Sequence, residues 1–232
     1  TKGHVTDKMV REHMQQYHLY SGHSAPPMAG FPGIQAIPAE DTLSPLEAIM
    51  LRNVAEKPFW GTAKRYQKLG LSAGLGNKVK DDLVVKGLIK PVTVNGLKLL
   101  ELTHQSKEVL EKKGIPAQTP RGQRSLEHEY WKDRVARHLS EKGYTVAKEQ
   151  DGADIIARKD HYRIAVEIET GKSAISQNAM KHTGKNFSAI VFLGTQREIV
   201  PEIEKALIEI SERISTPIIV RDVKSFMRNS KI

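Results

Sequence analysis

The sequence contains no cysteine, which removes disulfides, thiolate nucleophiles and Cys-type zinc sites together, so any metal has to rest on carboxylates or histidines. It also lacks any run of about 18 apolar residues and any charged-then-apolar leader, so neither a membrane-spanning helix nor a secretory signal is expected. A soluble, cytoplasmic protein is the expectation. Disorder is not expected either, because 39% hydrophobic and 27% charged residues over 232 positions is ordinary globular composition. The first residue is Thr, which leaves room for an upstream domain.

Acid is in short supply: 27 Asp and Glu stand against 36 Lys and Arg, a net charge of +9 that favours a polyanionic partner. Most of the surplus lies in residues 44–115, with thirteen basic against seven acidic side chains. Residues 1–43 carry a loose helical stripe (Val10, Met14, Tyr17) and then a Gly-, Pro-, Ala- and Ser-rich linker. His13, His18 and His23 recur at i,i+5, which does not put two ligands on one helical face, so scattered surface histidines are expected there.

From Ser44 the local signals sharpen. Ser44-Pro45-Leu46-Glu47 combines a capping box with proline at the first helical position, predicting a helix to about Glu56. A second helix is expected over residues 61–69. A third is expected to follow an apolar stripe of Leu75, Val79 and Leu83 up to Gly87, with Gly74 and Gly76 loosening its first turn. Asn95-Gly96 between two β-compatible runs predicts a hairpin over residues 88–102, and Thr103 caps a closing helix to Gly114. Three helices, a hairpin and a closing helix spell out a winged helix-turn-helix, whose third helix enters the major groove of duplex DNA. Lys64 and Arg65 on the second helix and Asn77, Lys78 and Lys80 on the third are the candidate DNA contacts. A protein-docking module is the other reading of the same pattern.

Residues 115–124 form a Pro-containing linker before a second domain, residues 125–232. Its order is helix, three strands, helix, strand, long helix over residues 197–214, and a last strand over residues 217–220, an α/β layout with a mixed sheet. If the second and third strands turn at Asp160-His161, residues whose numbers sum to 321 face each other. Alternation then puts Ile155, Ala157, Ile164, Val166 and Ile168 on a core face, and Asp154, Glu167 and Glu169 together on the other. Acids so placed repel unless a cation sits between them, and all-oxygen ligation selects Mg²⁺ or Mn²⁺. Such an ion serves phosphodiester hydrolysis. Lys172, just beyond the strand, is placed to orient the attacking water or to neutralise charge on the phosphate. Gly171-Lys172-Ser173 imitates the end of a phosphate-binding loop, but Val166 stands where that loop needs glycine, so no nucleotide site is expected.

Asp154 followed by Glu167-Ile168-Glu169 on the next strand, after an acid-bearing helix, resembles the PD-(D/E)xK nuclease superfamily, with Glu169 where lysine is usual and Lys172 three residues later. More narrowly, Leu126-Glu127-His128-Glu129-Tyr130-Trp131, Val166-Glu167-Ile168-Glu169-Thr170-Gly171-Lys172-Ser173, and Asn178 with Lys181 are similar to the nuclease-like domain at the C-terminal end of some HerA/FtsK-type ATPases of archaea and their mobile elements. The resemblance implies a restriction-endonuclease-like fold, a metal held by Asp154, Glu167 and Glu169, and Glu127 and His128 as the helix-borne acid and its neighbour. By helical phase both point to the core side and Glu129 further round. Asn178 and Lys181 are further candidate DNA contacts. The implied function is metal-dependent DNA cleavage on duplex DNA, with such an ATPase or a second copy as possible partner. The alternatives are a non-catalytic DNA-binding tail or adaptor of such a motor, an inactivated nuclease fold, and a merely solvated acidic face.

Overall fold

A computed structural model describes residues 43–115, 125–171 and 174–229. The expectations for residues 1–42, for the linker and for Lys172 and Ser173 lie outside the described residues. Within Leu43–Ile232, which form one compact unit, the chain runs α1 (Pro45–Glu56), α2 (Thr62–Lys68), α3 (Ala73–Val85), β1 (Ile89–Val94), β2 (Leu97–Leu102), α4 (His104–Lys112), α5 (Leu126–Glu141), β3 (Thr145–Gln150), β4 (Ala153–Lys159), β5 (Tyr162–Glu169), α6 (Ile175–Met180), β6 (Ala189–Gly194), α7 (Val200–Ile208), β7 (Ile218–Asp222) and α8 (Val223–Arg228). No helix among the described residues is long and apolar enough to cross a membrane.

The first six elements form around local devices. Ser44 and Glu47 cap α1 reciprocally, the Glu47 N–H donating to Ser44 Oγ and the Ser44 N–H to Glu47 Oε2. Asn95 (φ 50°) and Gly96 (φ 75°) turn the chain left-handed between Val94 and Leu97, and this two-residue turn fixes the β1–β2 register. Met50, Leu51, Val54, Tyr66, Val79, Leu83, Leu100 and Leu110 fill the core beneath.

Two expectations fail on this unit. The α3 stripe is Gly76, Val79 and Leu83, while Leu75 lies 40% exposed. The Tyr66 ring packs so tightly on Gly76 that a Cβ there would lie 2.5 Å from it, which rotates the helix to put glycine inward. Arg65, expected to face DNA, is fully buried. Its guanidinium donates to Asn53 Oδ1 (2.6 Å), the Lys57 carbonyl (2.9 Å) and the Trp60 carbonyl (3.1 Å), supplying donors to the chain that leaves α1. Burial lowers its pKa from 12.5 to about 10, so it remains a cation at neutral pH.

The remainder is mixed α/β, built on a five-stranded sheet in the order β3-β4-β5-β6-β7; β4 pairs antiparallel with both β3 and β5, and β6 and β7 join parallel. The β4–β5 pairs Ile155 with Val166, Ile156 with Ala165 and Ala157 with Ile164 follow the sum of 321 and turn at Asp160-His161. One sheet face (Ile155, Ala157, Ile164, Val166, Ile168, Val191) packs on Trp131, Val135 and Leu139 of α5 and on Val223 and Phe226 of α8. The other face carries Ile190 and Phe192 against Ala179 of α6 and Ile203 and Leu207 of α7.

Two differences from expectation appear at the C-terminal end. The single long helix over residues 197–214 is three pieces: a 3-10 turn at Arg197–Ile199, α7 with Pro201 in its first turn, and a second 3-10 turn at Ser211–Arg213. Proline at a helix start and the Ser211 hydroxyl donating to the Ile208 carbonyl mark the two breaks. A further helix, α8, follows β7, capped by Asp222, whose carboxylate accepts from the Ser225 N–H at 2.9 Å.

Candidate functional site

Asp154 enters β4 one residue before Ile155, so the observed register continues to Asp154 opposite Glu167, with Glu169 two residues further along β5. All three carboxylates are buried, at 4%, 2% and 1% exposure. Ionised acids removed from water are costly unless they are paired or hydrogen-bonded, and the surroundings are arranged accordingly.

On one side lies α5. The Ile168 N–H donates to Asp154 Oδ2 (2.9 Å), and Nε2 of His128 stands 3.0 Å from the same oxygen. Nδ1 of His128 faces Glu129 Oε1 (3.4 Å), and the buried Lys132 ammonium donates to Glu129 and to Glu149, both at 2.6 Å. Burial alone would drive the His128 proton off, but the hydrogen bonds to Asp154 and Glu129 outweigh it and hold the ring pKa up to about 9. Burial opposes ionisation of Glu129 as well, yet His128 and Lys132 bring its pKa below the usual carboxylate value. Glu149 takes a left-handed φ of 53° between the paired residues Lys148 and Gln150.

On the other side lies the end of α6. Asn178, Lys181 and His182 stand at i, i+3 and i+4 and share one face. Asn178 Nδ2 donates to Glu169 Oε1 (3.0 Å), Lys181 Nζ to Glu167 Oε2 (3.3 Å) and to Asn178 Oδ1 (3.1 Å), and His182 Nε2 to Glu167 Oε1 (2.6 Å). Asn178 and Lys181, expected as DNA contacts, are thus turned onto the acids.

Further placements differ from expectation or add to it. The described contacts put Glu129, not Glu127, against His128. Lys132, Glu149 and His182 belong to the site although sequence reasoning did not single them out. Their signals were available: His182 falls four residues after Asn178, Lys132 four after His128, and the two-residue Asp151-Gly152 turn brings Glu149 opposite Asp154. Of the candidate DNA contacts, Lys64 is exposed, with its ammonium 5.0 Å from the Trp60 ring; Lys78 is exposed; Asn77 accepts from the Tyr66 hydroxyl (3.2 Å); and Lys80 pairs with Asp81 (2.8 Å).

Among the described residues no three His, Asp or Glu side chains are gathered around one common ion position. Asp154 and Glu167 meet His128, His182 and Lys181 in this arrangement. The donor chemistry nonetheless suits a hard divalent cation, because buried carboxylate oxygens on adjoining strands are the ligands Mg²⁺ and Mn²⁺ take. No protein-family model matches the chain, and a search of curated proteins finds no match.

Proposed function

We propose that the chain is a Mg²⁺- or Mn²⁺-dependent DNA endonuclease or nuclease subunit, of the restriction-endonuclease-like type, positioned on duplex DNA by α1–α4 and the β1–β2 hairpin acting as a winged helix. The observation that carries the reading is the burial of Asp154, Glu167 and Glu169 side by side at the end of β4 and β5. A charge concentration of that kind, off the apolar core face, is costly to a fold and fits a site for cation chemistry.

Asp154, Glu167 and Glu169 would hold the ion. When bound, it supplies polarisation of a phosphate oxygen and a lowered pKa for water. The chain's own residues do the rest. Ile168 N–H and His128 hold Asp154 in place, and Asn178 holds Glu169. Lys181, about a third exposed beside Glu167, offers an ammonium to a phosphate entering from solvent. Lys172, beyond β5, is proposed to orient the attacking water. Lys64 and Lys78 lie exposed on α2 and α3 for phosphate contact.

A second reading, a non-catalytic DNA-binding tail or adaptor of a HerA/FtsK-type ATPase, has its own support: Asp154, Glu167 and Glu169 each already meet a donor or cation of the protein. Incubation of supercoiled plasmid with the protein separates the two. Nicked or linear product with Mg²⁺ or Mn²⁺ and none with EDTA supports the nuclease. Duplex binding with intact plasmid in every metal supports the tail.

A further inference from the structure

Glu167 carries two oxygens in unlike surroundings. Oε1 points to His182, whose ring is fully buried and sits edge-on to Phe187 at 5.5 Å between centroids; Oε2 points to the partly exposed Lys181. The His182 contact is 2.6 Å, the short length expected of a hydrogen bond to an ionised group. Nδ1 of the same ring has no partner among the described residues, which places the ring proton on Nε2, where it has an acceptor. A ring enclosed in this way cannot swing aside, whereas a lysine about a third exposed can.

We propose that His182 is a positioning residue for Glu167: it pins Oε1 inside the protein, so that Glu167 offers a divalent cation Oε2 alone, from the side where Lys181 stands. The assignment rests on the nuclease reading above. It makes Glu167 a one-oxygen ligand and His182 the residue that fixes it, in the way outer hydrogen bonds commonly orient carboxylate ligands.

Mn²⁺ binding to the whole chain, followed by electron paramagnetic resonance, tests this. His182→Phe keeps the ring volume but removes the donor, and it should weaken Mn²⁺ binding by roughly 10- to 100-fold. His182→Gln, which restores an N–H donor, should recover most of that loss, and duplex affinity in EDTA should stay unchanged in both. Wild-type affinity in a folded His182→Phe variant, or equal loss in the Gln variant, overturns the assignment. A measurement on the unsubstituted chain guards against variants that do not fold. The His182 Nε2 proton, seen by nuclear magnetic resonance in histidine-labelled protein, should remain hydrogen-bonded when Mg²⁺ is added. Its loss on binding would mean that both Glu167 oxygens turn to the ion, which also overturns the assignment. If the wild-type chain binds no Mn²⁺ at all, the nuclease reading itself fails, and this assignment with it.

Discussion

Asp154 and Glu129 together keep His128 charged in a buried position, and this ties stability to pH with a definite sign. The folded pKa of about 9 lies above the ordinary 6.5, so the stabilisation is complete below about pH 6.5 and is lost as pH rises through about 9. In EDTA, the unfolding free energy measured by denaturant should fall by up to about 3 kcal/mol over that window. His128→Phe should remove the slope, and a slope unchanged in that variant would contradict the assignment. For Lys172, the expected outcome of alanine substitution is a cleavage rate lower by orders of magnitude with duplex affinity little changed, the pattern of an interaction made in the transition state; equal losses in both would mark a plain phosphate contact. Side chains on strands were the legible part of the site. Alternation has only two phases, and the core face chose between them, so Asp154, Glu167 and Glu169 fell together. Glu127 against Glu129 was not legible in that way, because the answer depends on how α5 rolls on the sheet, which is set by Trp131, Val135 and Leu139 against distant strands.

Turn chemistry and caps made the elements readable: Asn95-Gly96, Ser44 with Glu47 and Thr103 each act within a few residues. The α3 stripe escaped because its inward position is a glycine, and only the Tyr66 ring across the helix pair reveals it. Gly76→Ala should therefore destabilise the fold by about 1–3 kcal/mol through overpacking, even though alanine is the better helix former; a neutral or stabilising result in a denaturation experiment would show that Tyr66 moves freely. The exposed lysines of α2 and α3 allow a second test. Lys64→Glu and Lys78→Glu should each weaken duplex binding across all sequences and reduce the salt dependence by roughly one phosphate contact or more. Affinity and salt slope equal to wild type in both would contradict the proposed role of α2 and α3 in binding duplex. The interruption after β6 and the helix after β7 depend on Pro201 and on the Asp222 cap, local signals that a helical periodicity over residues 197–214 does not carry.

Val94 and Leu99 of the hairpin belong to the same buried cluster as Tyr130 and Trp131 of α5, the Phe59 ring meets Tyr130 edge-on at 6.0 Å, and the Leu126 N–H donates to Glu101. The helical unit and the sheet unit, which the sequence divides at a linker, thus share a core through the helix that also carries His128, Glu129 and Lys132. That linkage was invisible in the sequence, because Val94 and Leu99 are as well explained by a hairpin packing on its own helices. It fixes α3 relative to the acids, and Leu99→Ala should cost about 2–5 kcal/mol and lower a single unfolding transition rather than release one unit alone. An excised 44–115 fragment would expose Val94 and Leu99, so DNA binding is better measured on the whole chain. The nuclease reading is tested most directly by metal-dependent plasmid cleavage in Asp154→Asn and Glu167→Gln beside wild type, with duplex affinity measured in EDTA as control. Cleavage in the wild type alone, with all three proteins folded and binding duplex equally, is the predicted result; equal cleavage by the double variant Asp154→Asn/Glu167→Gln would contradict it.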